Sequence, residues 1–70
     1  MLRVLLIRKQ RNLSQSALAK KVSIELRSMC DIENGRRKPS FDVLVRIAIA
    51  LECSLDELVG VDLYATGFRL

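Results

Sequence analysis

Counted from Gln15, large apolar residues stand at places 4, 8, 10, 15 and 18, namely Leu18, Val22, Ile24, Met29 and Ile32, with the small Ala19 at place 5. No other feature of the chain restricts its folding as tightly. Leu18 and Val22 share one helical face, and Met29 and Ile32 share another. The period breaks between them, near Ser23. Two short helices joined by so few residues cross at a steep angle, and a small residue at place 5 lets them approach closely. The second helix then stands out from the domain, where it can enter a groove about 12 Å wide, the width of the DNA major groove.

The remaining chain supplies helices of the same scale. A first helix is expected over Leu2 to Arg11, with Val4, Ile7, Arg8 and Arg11 along one face and Asn12 just past its end, since Asn tolerates the left-handed backbone. Ser14 is an N-cap for Gln15 to Val22. Leu26 to Asn34 is the third helix, ended by Gly35. Arg36, Arg37, Lys38 and Pro39 form a basic loop, because proline resists helix there. Ser40 caps a fourth helix, Phe41 to Leu51, whose expected core face is Phe41, Leu44, Ile47, Ala48 and Leu51. Ser54 and Glu57 have capping-box spacing ahead of a fifth helix, Leu55 to Val59. The fold class is therefore all-α, five short helices, with residues 2–59 as one domain and residues 60–70 as an apolar tail.

Charge divides the chain. Residues 8–38 hold nine Lys/Arg against three Asp/Glu, whereas residues 39–70 hold Arg46 and Arg69 against Asp42, Glu52, Asp56, Glu57 and Asp62. A basic half suits a polyanion. Cys30 and Cys53 are not in a metal-ligand spacing and the chain has no His, so buried free thiols, no metal and no cofactor are expected. The apolar run Val4 to Ile7 is too short for a signal core or a membrane span, which points to a cytoplasmic protein. No nucleophile–base pair stands out and 70 residues leave little room for a pocket, so neither an enzyme nor a small-molecule substrate is expected.

The segments Leu13-Ser14-Gln15, Leu18-Ala19, Ile32-Glu33-Asn34-Gly35, Pro39-Ser40, Ile47-Ala48 and Ser54-Leu55-Asp56-Glu57-Leu58 fall without a gap between about Val4 and Val59. In these residues the chain resembles the Cro/repressor-type helix-turn-helix family, the lambda repressor-like, XRE-type regulators, with the motif at residues 15–34. The resemblance implies a sequence-specific DNA-binding transcriptional regulator, a repressor, with double-stranded DNA as partner and residues 26–34 as recognition helix. It implies DNA-backbone contacts from Gln15 and Asn34, and an internal ion pair between Arg8 and Glu33. Gln15 also opens a helix, where free N–H groups favour a phosphate. Arg36, Arg37 and Lys38 should bind phosphates as an electrostatic set.

The exposed face of the recognition helix is expected to be Glu25, Leu26, Arg27, Ser28, Cys30 and Asp31. Arg27 can fork onto guanine, Glu25 or Asp31 can accept from a cytosine amine, and Leu26 can touch a thymine methyl group. Asp31, four residues after Arg27, can also hold it in an ion pair. Two departures from the family stand out. Ser23 replaces the usual turn glycine, and Glu25 replaces the usual Ser or Thr cap, so that the turn can shift and leave Ser23 as the cap. Leu5, Leu6, Val43 and Ile49 take positions usually polar and, with Leu63, Tyr64, Phe68 and Leu70, exceed what a lone small domain exposes. That surplus points to a homodimer packed through Val43, Ile49, Leu63, Tyr64 and Phe68, or to a tail folded back within the chain. Glu25, Asp31 and Leu26 leave a second reading open: a protein-interaction module, antirepressor or antitoxin-like, with weak or no DNA binding.

Overall fold

A computed structural model describes residues 2–59. It contains five helices in chain order: α1 (Val4–Gln10), α2 (Gln15–Val22), α3 (Leu26–Glu33), α4 (Phe41–Leu51) and α5 (Leu55–Val59). α2, α4 and α5 have the expected bounds. α1 begins two residues later and ends one residue earlier than expected, with Arg3 and Arg11 as its caps; the Arg3 N–H, which has no acceptor within the helix, donates to the Leu58 carbonyl at 2.7 Å. α3 ends one residue earlier, with Asn34 as its cap.

The helix starts follow local chemistry. Ser14 Oγ accepts from the Ala17 N–H at 3.0 Å, and Ser40 Oγ accepts from the Val43 N–H at 3.2 Å. In the capping box, the Ser54 N–H donates to Glu57 Oε1 at 3.0 Å and the Glu57 N–H donates to Ser54 Oγ at 3.1 Å. These bonds hold the Glu57 carboxyl below its ordinary range.

α1 to α4 end alike, in a left-handed residue with two backward hydrogen bonds. Asn12, Ser23, Gly35 and Glu52 have φ of 57°, 64°, 77° and 55°. At α3 the Gly35 N–H donates to the Ile32 carbonyl at 3.2 Å and the Arg36 N–H to the Asp31 carbonyl at 2.8 Å. The three non-glycine ends each carry an arginine on a nearby carbonyl. Arg8 Nη1 donates to Leu13 O at 2.9 Å, Arg46 Nη1 to Val22 O at 3.4 Å, and Arg11 Nε to Leu51 O at 2.8 Å. A cation there also meets the negative end of the helix dipole.

The core joins all five helices through Val4, Ile7, Leu18, Ala19, Val22, Met29, Ile32, Ile47, Ala48, Leu51 and Leu58. α2 packs on both α3 and α4, and α4 also meets α1 and α5. Phe41 is the exception to the expected α4 face. It is 70% exposed, because as the first residue of its helix it overhangs the core. Val43, expected as free apolar surface, is half-buried and packs against the core instead.

Candidate nucleic-acid interface

α3 is braced from behind by one carboxylate. Glu33 lies in its last turn with a side chain only 3% exposed. Arg8 of α1 donates Nε–H to Glu33 Oε2 at 2.7 Å and Nη2–H to Oε1 at 3.0 Å. Gln15, first residue of α2, donates Nε2–H to the same Oε1 at 3.0 Å. The implied ion pair is therefore present, and it includes Gln15, which the sequence had suggested only as a phosphate contact. Three helices meet on a two-pronged arginine–carboxylate pair, so removing one partner leaves a desolvated charge at a cost of about 3–5 kcal/mol. The α2 backbone N–H groups of Gln15 and Ser16 have no acceptor within the helix, so they can receive an anion.

The outer side of α3 carries the expected readers unevenly. Glu25, Leu26 and Arg27 are exposed, whereas Ser28, Cys30 and Asp31 are half-buried. Glu25 is the N-cap in extended conformation, with no hydrogen bond from its side chain. Ser23 keeps the left-handed turn and does not shift to cap α3, because its N–H and that of Ile24 close the end of α2 on Lys20 and Ala19. Left-handed serine costs about 1–2 kcal/mol relative to glycine. Arg27 is not in an ion pair with Asp31: among the described residues the ion pairs are Arg8–Glu33 and Asp42–Arg46. Asn34, exposed at the end of α3, donates Nδ2–H to Cys30 Sγ at 3.4 Å. Both cysteines are free and half-buried rather than buried. Partial burial, with Glu57 nearby, pushes the Cys53 thiol above its ordinary value despite the opposing Arg11 charge.

Arg36, Arg37 and Lys38 are all exposed just past α3, and Arg37 and Lys38 line a groove with Leu2, Ile32, Pro39, Leu44 and Val59. Their side chains differ in what they touch within the domain. Arg37 turns back along α3 and donates Nη1–H to Ser28 Oγ at 3.0 Å. Nothing in the residue pattern announced this contact, since the direction of a loop side chain depends on the backbone path after Gly35. Elsewhere, Leu5, Leu6 and Ile49 are exposed as expected, Ile49 at 71%, and Phe41 joins them in place of Val43. Leu63, Tyr64, Phe68 and Leu70 lie outside the described residues.

The Helix-turn-helix family model matches residues 4–58, a span from the start of α1 into α5. The chain belongs to this family. The match includes the whole of α2 and α3 and the turn between them. The domain is similar to the cryptic phage CTXphi transcriptional repressor RstR of Vibrio cholerae, with 43% identity over 53 residues, covering 76% of this chain and 47% of that protein. It is similar to the ImmF control region 10 kDa protein of Bacillus phage phi105, with 41% identity over 51 residues, covering 73% of this chain and 57% of that protein. The Immunity repressor protein of the same phage shares 38% identity over 58 residues, covering 83% of this chain and 40% of that protein. The helix-turn-helix chain thus spans about half the length of these relatives. Among its described residues, no helix is long and apolar enough to cross a membrane.

Proposed function

We propose that this chain is a sequence-specific DNA-binding transcriptional repressor, acting as a homodimer on double-stranded DNA in the cytoplasm. Residues 2–59 form the DNA-binding domain, and residues 60–70 form a tail that takes part in assembly. The observation that carries this reading is the bracing of α3. Arg8, Glu33 and Gln15 fix the helix from behind, while Leu26 and Arg27 stand exposed on it and the basic loop follows directly. Two of the relatives are named repressors, which agrees with it.

The roles divide into positioning and reading. The α2 N-terminus at Gln15, the exposed Asn34, and the charges of Arg36 and Lys38 meet phosphates. Glu25, Leu26, Arg27 and Asp31 meet base edges. A two-fold dimer places two copies of α3 about 34 Å apart, one turn of DNA. Exposed Phe41 and Ile49 on α4 support that assembly.

Selection of bound sequences from a random DNA pool tests the reading. A preferred site should emerge, and its affinity should fall with salt at a log–log slope of about −0.9 per neutralised phosphate. Replacing Arg36 and Lys38 with Ala should flatten the slope and leave the preferred sequence alone. Failure to retain any DNA at low salt would reject the reading and favour a protein-interaction module. Sedimentation of the intact chain and of a form ending at Gly60 tests the dimer. A monomer at high micromolar concentration with the tail intact would reject it.

A further inference from the structure

We infer that Arg37, steered by Ser28, reads a base in the groove occupied by α3 rather than holding a phosphate with its two neighbours. The inference rests on the proposed DNA-binding role and adds a second cation to the reading surface, supplied from the loop.

Geometry separates Arg37 from the residues beside it. Arg36 and Lys38 are exposed, and their side chains make no hydrogen bond or ion pair among the described residues. Arg37 instead reaches Ser28 at 3.0 Å. Ser28 is the third residue of α3, in the first turn. When such a helix enters a major groove, it is the N-terminal turn that approaches base edges. A guanidinium tied to that turn travels with the helix into the groove, whereas phosphates line the groove walls.

Chemistry agrees with this placement. A guanidinium carries five N–H donors, and the bond to Ser28 uses one. The remaining fork can bond both guanine acceptors in the major groove. The hydroxyl bond also preorients a flexible side chain, which favours a directional contact over a diffuse charge. Charge balance points the same way. The α3 face offers Arg27 against Glu25 and Asp31, a net negative surface next to a polyanion. Arg37 brings it to neutrality at the first turn, where base contact occurs.

The test uses the full chain, sequence selection from a random DNA pool, and affinity on the selected site and on bulk DNA. Arg37→Ala should weaken binding to the selected site about 5- to 100-fold, leave bulk DNA binding nearly unchanged, and relax preference at one base position. Arg37→Lys keeps the charge but loses the fork, so it should relax the same position. Ser28→Ala should blur that position while Arg37 remains. Arg37 is exposed and Ser28 half-buried, and thermal melts confirm that each variant folds. Equal loss on both DNAs, with the salt slope reduced by about one and the preferred sequence unchanged, would make Arg37 a phosphate contact and overturn the inference. Unchanged sequence preference in all three variants would also overturn it. Failure of the unaltered chain to select any sequence would instead overturn the DNA-binding reading, and this inference with it.

Discussion

The turns at the two ends of α3 use the same backbone solution with different residues. At Gly35 the left-handed residue is the one that costs nothing there, and a Cβ added to it would meet no atom within 4 Å. At Ser23 the same conformation is held by a residue that disfavours it, with Arg46 reaching from α4 to the Val22 carbonyl. Asn12 and Glu52 repeat the second arrangement with Arg8 and Arg11. Where the chain lacks glycine, an arginine fastens the turn. The turn that lacks such a bond is the one leading into the basic loop, where Arg37 bonds Ser28 instead of a carbonyl at the turn. What differs is therefore whether an arginine closes the turn or glycine makes one unnecessary.

The largest expected effect comes from cutting the brace at the Gly35 end. Glu33→Gln keeps the shape but leaves Arg8 buried beside a neutral amide. It should cost about 3–5 kcal/mol, comparable to the whole stability of a small domain. Loss of helical circular dichroism near room temperature is the expected result. A melting curve within a few degrees of the parent would show that Glu33 is not the brace.

Exchanging the turns sharpens the comparison. Ser23→Gly should stabilise, and Gly35→Ala destabilise, each by about 1 kcal/mol, a change of about 4–8 °C in Tm for a domain of this size. The Gly35 effect is conformational alone, because there is space for the methyl group. Shifts of the same sign at both positions would contradict the assignment of strain to Ser23.

A smaller effect is expected from the fastening itself. Arg46→Met keeps the stem but removes the bond to Val22 O and the exposed pair with Asp42, costing about 0.5–1.5 kcal/mol. The loss should shrink when Ser23→Gly is already present, since the relaxed turn needs less support. Strict additivity of the two changes would mean that the arginine does not serve the turn.

The smallest is the acid sensitivity of the capping box. Glu57 has a folded pKa below its ordinary value of 4.5, because its carboxylate accepts from the Ser54 backbone N–H and hydroxyl. Its contribution is therefore fully present above that ordinary value and is lost as pH falls through the depressed one. Stability measured against pH should decline more shallowly over this acid range in Glu57→Gln than in the parent. Parallel curves would remove Glu57 from the acid transition.

Most of the frame was legible because caps are local. Ser14, Ser40 and the Ser54–Glu57 pair mark three helix starts through bonds spanning three residues. Asn12 and Gly35 mark ends in the same way. The misreadings have tertiary causes. Phe41 fits the apolar period of α4 but stands where the core has already ended, and Val43 turns inward where the period pointed it outward. The N–H of Arg3, the cap of α1, is paired by Leu58, near the far end of the described chain. At the site, the Arg8–Glu33 pair came from the family resemblance, and the structure adds Gln15 to it. The bond from Arg37 to Ser28 was not legible, because no pattern of residue types encodes a loop side chain turning back on the preceding helix.

The bond from Arg3 to Leu58 joins the first and last helical segments at one pole of the domain. Helices α1 and α5 lean chiefly on α4, while α2 is packed more extensively, against both α3 and α4. Breathing should thus begin at that pole, as a buckle that opens both extremities together, since releasing either end removes the partner of the other. Amide hydrogens near Arg3 and Leu58 would then exchange in step and ahead of those in α2. Helix α3 would keep its shape while the buckle is undone only as far as Arg8, further along α1, stays bonded to Glu33.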